Sequence, residues 1–438
     1  MAVAGHAPAA AAAQRPAVAR LGPGTSTGLV LAVALLFGVS GGMLWLVGYN
    51  YDGLSGGALT KIHPGTYLIV LLFGWSLAAS GDPVARFARL AALRPASLVL
   101  AITALVALAI FVIRQAPGMA GLLDTFFGPA LLLMLLADAD ERTMARMETA
   151  LHVVMTANAL LGLYEFASQN LLFPYRFEGA AFEWDPRSTS LQGHPLANAM
   201  MTACYLMALT SGARALPDRV RLALILLQSA ALVVFGGRTA LLLSLGFGGL
   251  YAISALLRQL KTGRVPLLGA ALGVSMLAVL PVGLAALWAG GFFDALLQRF
   301  MSDGGSANAR KEMFELVLAL PLRDLVVGPD VEWVESLRRI HGLEWGIENP
   351  FVRMLVYQGL LVTLLLAVTF SLYVYELARL CRPGVWLPMI VWIILLNAAE
   401  TVASKTTMPA KFSIIVLCLY RSPPGPRINP AAWSARAR

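Results

Sequence analysis

Two residue types in this chain could do covalent chemistry together: a carboxylate, Glu348, and a set of arginines, Arg176, Arg187, Arg238 and Arg310. A glutamate ionises near pH ~4.3 in ordinary surroundings, so Glu348 can take a proton from a hydroxyl at neutral pH. A guanidinium presents a planar fork that binds two phosphate oxygens at once, and it stabilises a phosphate leaving group as charge builds on it. Glu348-Asn349 closes a polar stretch, 290 to 350, and is followed nine residues on by Gly359-Leu360-Leu361-Val362. Glu348 also fits a plainer role, an acid at a helix N-terminus ahead of Pro350. His341, seven residues upstream, is a second candidate base. Asn349, His341, His194, Arg176 and Arg187 are candidate substrate-binding residues, each with a structural role as its alternative.

The elements that must position these residues are apolar. With 58 % hydrophobic and 13 % charged residues and a mean hydropathy of +0.73, the polar residues are too few to cover a soluble globule. The pattern predicts an all-α polytopic membrane protein of about twelve spans, near 28–48, 64–80, 97–114, 119–137, 148–168, 194–212, 219–236, 238–256, 265–289, 351–375, 385–400 and 409–420. These runs are long and unbroken where a β-barrel would show short alternating strands. Residues 1–27 and 421–438 read as cytoplasmic tails, 169–193 and 290–350 as outer loops. Arg86, Arg89, Arg94, Arg214, Arg219, Arg221, Arg258, Lys261, Arg264, Arg379 and Arg382 then fall on the inner face, as the positive-inside rule requires. The net charge of +9 is accounted for by membrane anchoring, and no nucleic-acid partner is expected.

Within the large loop, Ala309, Met313, Leu316, Val317 and Leu320 recur at helical spacing, with Asn308 placed to cap the helix and Pro321 to end it. Arg310 and Lys311 then sit in the first turn, against the macrodipole, where a docked anion would offset the conflict. Arg238 follows Gly236-Gly237 at a break between two apolar runs. An arginine at membrane depth costs at least about 2.5–3.5 kcal/mol near a helix centre, so it is expected to have a partner. Asp124 and Glu165 lie near span ends and serve either proton relay or helix pairing. Asp138-Ala139-Asp140 resembles a metal-binding carboxylate pair but falls on the predicted inner face. Cys204, Cys381 and Cys418 have no metal-ligand spacing, and no internal repeat of the transporter kind is evident.

The order of these pieces resembles the O-antigen ligase and O-antigen polymerase (Wzy-like) superfamily of membrane glycosyltransferases. The matching pieces are Arg176-x-x-Gly179, Gly193-His194-Pro195-Leu196-Ala197, Gly237-Arg238-Thr239-Ala240, Arg310 leading to Pro321 and Val327-Gly328, and the motif closing the large loop. With Asp124-Thr125-Phe126-Phe127-Gly128-Pro129, the chain is most similar to VpsF-like exopolysaccharide polymerases. The ligases have histidine at the position of Glu348. The resemblance implies a GT-C-like fold in the bacterial inner membrane and a metal-independent, cofactor-free, inverting transfer at the periplasmic face. Donor and acceptor would be undecaprenyl-pyrophosphate-linked saccharides, with membrane lipid and other polysaccharide assembly proteins as candidate partners. It also implies that Arg238 and Arg310, with Arg176 as a third cation, stabilise the pyrophosphate, and that Glu348 is the base. Ligation of glycan to a lipid A core and flipping of lipid-linked sugars are the alternatives.

Overall fold

The computed structural model describes residues 21–421 except 54, 117, 178–179, 182–186, 214, 262–284, 286–287, 295–296, 298–305, 344–346, 348 and 398–401, and the side chains of 177 and 306–310. Among the described residues the fold is helical apart from an isolated bridge between Cys381 and Arg421 and one antiparallel pair of two-residue strands, β1 (Arg176–Phe177) and β2 (Ala180–Ala181), which sets Arg176 against Ala181 and Phe177 against Ala180. Five helices among the described residues are long and apolar enough to cross a membrane: α5 (Pro95–Arg114), α6 (Met119–Asp138), α7 (Glu141–Ser168), α10 (Arg238–Lys261) and α14 (Pro350–Arg379). Shorter apolar helices accompany them: α1 (Pro23–Gly38), α3 (Pro64–Ala78), α15 (Trp386–Asn397) and α16 (Met408–Leu419). Between these run α2 (Gly41–Leu46), α4 (Pro83–Leu93), α8 (Pro195–Ser211) and α9 (Asp218–Phe235). The bundle exposes Leu71, Trp75, Ile102, Ile113, Leu245 and Leu361, a dressing that suits lipid and not water. This is a membrane protein.

Helix starts follow local chemistry. Proline opens α1, α3, α4, α5, α8 and α14, where its missing N–H costs nothing and its fixed φ suits the first turn. His63-Pro64 and His194-Pro195 use one device twice. In each, the histidine is the N-cap and its Nδ1 accepts from the second residue of the helix, Gly65 N at 3.0 Å and Leu196 N at 3.2 Å. The first helix begins at Pro23, inside the stretch expected as a tail, and ends at Gly38, so the expected span 28–48 is divided by Val39-Ser40. Residues 1–20 and 422–438 and most of the expected span 265–289 lie outside the described residues.

Two helices form the centre. Every residue of α16 is buried, and it packs against α1, α6, α7 and α8; α8 is almost as fully enclosed. Trp392 stacks on Phe412 at 4.1 Å between ring centroids, and Tyr373 Oη meets Ser413 Oγ at 2.6 Å, tying α15 and α14 to that core. At one end of the bundle, called here the terminal end, α1 begins and α16 finishes. At the other, the loop end, α1 finishes and α16 begins.

A small lobe stands at the loop end on α14. It comprises α11 (Ser306–Ala319), α12 (Leu322–Val327) and α13 (Val331–Ile340). Its own core joins Met313, Leu316 and Leu320 to Val334, Leu343, Ile347 and Val356, so the helical spacing read in the sequence is the packing face. The helix starts at Ser306, which puts Asn308 inside it and not at its cap. The lobe is held to the bundle by backbone contact. Gly359, with φ +81° inside α14, approaches Val327-Gly328 so closely that a Cβ would overlap Gly328 N. Arg114, at the end of α5, donates to Val327 O at 3.2 Å, Gly328 O at 2.9 Å and Pro329 O at 3.1 Å. Two motif pieces 31 positions apart, Gly328 and Gly359, are therefore one contact.

Candidate functional site

The residues that converge at the loop end are mostly not the arginines singled out in the sequence. Asp124 lies in a π-helical turn, Leu122–Phe127, and is wholly buried. Its Oδ2 accepts from Tyr51 Oη at 2.8 Å and from His63 N at 3.1 Å, so it fixes the 47–63 loop over the start of α3. Of its two expected roles, helix and loop pairing is the one this geometry uses. Glu165 does the same for the second loop, accepting from Leu172 N, Thr189 N and Ser190 N at 2.9–3.0 Å.

These anchors bring three lysines and an aspartate together. Lys61 Nζ donates to Asn50 O at 2.8 Å and Gly53 O at 2.6 Å, wrapping the loop around itself. Lys405 Nζ bonds Tyr51 O and stands 3.8 Å from the centroid of the Tyr51 ring. Lys411, in the first turn of α16 and 7 % exposed, donates to Gln192 Oε1 at 2.6 Å, and Gln192 in turn donates to Phe37 O at 2.8 Å. Asp52 presses its carboxylate on Gly41, where a Cβ would overlap Oδ2. Burial pushes the Asp52 carboxyl up to about 6, against the pull of Lys405, Lys61 and Lys411. Burial likewise drives His63 down to about 3, helped by Lys411 and Lys405, so this ring is neutral. Its Nε2 meets Val39 O at 3.1 Å.

Lys411 is the unusual member. Its one hydrogen bond among the described residues is to a neutral amide, although an ammonium has three donors and is costly to bury without an anion. Asp52 acts on it through space. Three lysines thus surround one aspartate, Asp52, so basic groups outnumber the acid they share.

Two of the residues read from the sequence border the cluster. His194 meets Tyr175 edge-on at 5.0 Å, and Gly193, at φ +71°, packs against Ser40 and Gly41, next to the Asp52 carboxylate. Arg176, in β1, is carried by the strand that touches α2. Arg187 is half-buried beside Ser188, whose Oγ donates to Gly162 O at 2.7 Å. Arg238 opens α10, with Gly237 pressed onto Ala199 of α8, and is likewise half-buried at the loop end.

The remaining predicted residues belong to the lobe. Asn349 spends its Oδ1 capping α14, accepting from Phe351 N at 3.0 Å and Val352 N at 3.1 Å. His341 caps the end of α13 and its Nδ1 lies 2.9 Å from Glu312 Oε2. Glu312, Glu315 and His341 offer one donor atom each within 4.8 Å, a spacing that could hold a divalent cation, but Lys311 already pairs with Glu315 at 3.3 Å. Glu348 and the Arg310 side chain lie outside the described residues.

Asp138-Ala139-Asp140, at the terminal end, is structural. Asp138 is held by Arg89 at 2.5 Å and Arg86 at 3.2 Å, and Asp140 caps α7 through Thr143 N at 2.8 Å.

Sequence reasoning missed Asp52, Lys405 and Lys411. Lys411 carried a legible signal, a cation inside an expected span, which by default marks a functional position. No family model, curated protein or solved structure matches the chain.

Proposed function

We propose that this protein is a glycosyltransferase of the bacterial inner membrane that polymerises undecaprenyl-pyrophosphate-linked oligosaccharide repeat units into exopolysaccharide, with the loop end facing the periplasm. The observation that carries the proposal is the cluster of Lys61, Lys405 and Lys411 around Asp52 at the loop end, with a buried Lys411 amine that no described carboxylate touches. A lipid-linked donor presents its pyrophosphate at the membrane boundary, where such cations offset the charge that grows on it. Arg176 and Arg238 stand at the same end of the bundle as further phosphate-binding groups.

In this reading the acceptor hydroxyl oxygen attacks the anomeric carbon of the donor. The new C–O bond forms as the bond to the pyrophosphate oxygen breaks, and the lipid pyrophosphate leaves with the electron pair. The hydroxyl proton passes to a carboxylate, Glu348 by the motif that closes the large loop. Single displacement inverts the anomeric centre.

The test uses the whole chain in liposomes supplied with the lipid-linked saccharide that accumulates in cells lacking this protein. Longer glycans and free undecaprenyl pyrophosphate are expected, and both disappear in Lys411→Met and Glu348→Gln while the proteins stay inserted. Transfer of a single block to a lipid acceptor would identify a ligase, and movement of the saccharide across the bilayer without a new bond a transporter. Either outcome overturns the polymerase reading.

A further inference from the structure

The terminal end holds a cavity of about 300 Å³ that the reaction above does not use. It lies where the tips of α5, α6, α7 and α16 meet. Arg94 and Arg421 supply its cations, Glu141 an acid, and Leu136, Met144 and Leu417 its apolar wall. Arg421 is engaged, with Nη1 donating to Glu141 O at 3.1 Å and Nη2 to Glu148 Oε2 at 3.2 Å.

Arg94 is not comparably engaged. Its Nη1 donates to the adjoining Leu93 O at 3.0 Å, and its Nε is buried without a partner. Glu376 and Asp138 act on it through space but give their oxygens to other donors. Glu376 accepts from Ala96 N at 2.6 Å and Ser97 N at 3.0 Å, capping α5, and Asp138 belongs to Arg86 and Arg89. An unsatisfied buried donor on a guanidinium is costly, and an oxygen-rich anion in the cavity would relieve it.

The depth of the site is given by α4. That helix turns Arg86 and Arg89 inward to Asp138 and leaves Val84, Phe87 and Leu93 exposed. An amphipathic helix of this kind lies in the headgroup layer of a bilayer, and Arg94 follows it directly. By the positive-inside rule this is the cytoplasmic leaflet, where anionic lipids gather.

We infer that the Arg94 cavity is a binding site for an anionic phospholipid of the cytoplasmic leaflet, the phosphate on Arg94 and the first methylenes against Leu136, Met144 and Leu417. The apolar wall favours a lipid phosphate over free phosphate.

Native mass spectrometry of the full chain in detergent, titrated with phosphatidylglycerol, tests this. Retained lipid is expected with phosphatidylglycerol and not with phosphatidylcholine. Arg94→Gln should weaken retention about ten-fold, the loss of one charge-assisted contact. Leu136→Phe, which keeps every charge and fills the wall, should also weaken it. Arg221→Gln removes the same charge from a half-buried arginine paired with Asp218 and outside the cavity, and should leave retention unchanged. Equal weakening in Arg221→Gln, displacement of the lipid by millimolar inorganic phosphate, or unaltered retention in Leu136→Phe would each overturn the inference.

Discussion

The two ends of the bundle treat charge in opposite ways. At the terminal end acids and bases are matched: Asp138 with Arg86 and Arg89, Glu148 with Arg421, Glu376 with the N-terminus of α5. At the loop end the lysines lean on carbonyls, a ring and an amide, and burial raises the pKa of the nearby aspartate to about 6. Arg94 apart, the first arrangement is complete without a ligand. The second is stabilised by one, because an added anion supplies the charge that Lys405 and Lys411 lack. Abundance of cations at an end therefore says little about function; what matters is whether acids already occupy them.

Paired substitutions of similar size but opposite kind break or confirm this contrast. Asp138→Ala leaves Arg86 and Arg89, 10 % and 33 % exposed, without their acid. The expected loss is about 3 kcal/mol of stability, read by unfolding in mixed micelles, with transfer activity per folded molecule unchanged. Lys411→Met should do the reverse. Removing a buried ammonium with one neutral partner leaves the melting temperature level or raises it, while activity falls about 100-fold or more. A Lys411→Met protein that unfolds but stays active when folded would show that Lys411 is structural, as Asp138 is.

A smaller effect is expected at Glu165. Its carboxylate gathers three backbone N–H groups of the loop that carries Gln192 and His194. Glu165→Gln keeps the shape and loses the charge, for about 2 kcal/mol. Amide exchange should quicken at Thr189 and Ser190 and not at Thr143, which is capped by Asp140 at the opposite end. Uniform quickening would mean that the loop end has no independent organisation.

What the sequence disclosed and what it hid divide along physical lines. Apolar runs bounded by proline and glycine disclosed most helices, since length and composition decide them locally. The face of α11 was legible because Met313, Leu316 and Leu320 obey one period. Gly328 and Gly359 were visible as motif pieces, yet that they touch depends on a left-handed residue inside α14 that no local pattern announces. Asp124 was visible as a polar residue in a span, but its partners Tyr51 and His63 come from a loop far earlier in the chain. Lys411 could have been found by asking why a span should contain a lysine. Lys405 and Asp52 could not, because their importance lies in being carried to the same place by two different loops.

The titration of Asp52 gives the finest probe of the loop end. Burial raises its pKa from the ordinary 3.8 to about 6, so the folded protein holds this proton more tightly than the unfolded chain does. Stability contributed by the protonated form is then present below pH ~4 and is lost as pH rises towards about 6, by at most ~3 kcal/mol. Measured against Asp52→Asn, which cannot titrate, the wild-type melting temperature should fall between pH 4 and 6 and run parallel above. His63, whose pKa is depressed, is common to both proteins and cancels in the difference. Methylenebisphosphonate, a stable pyrophosphate analogue, sharpens the test. Bound at Lys405 and Lys411 it opposes ionisation of Asp52, so the falling limb should move to higher pH in its presence. A limb that stays in place with the analogue bound would put the anion elsewhere, and the loop-end lysines would then join Arg86, Arg89 and Arg421 of the terminal end as parts of the scaffold.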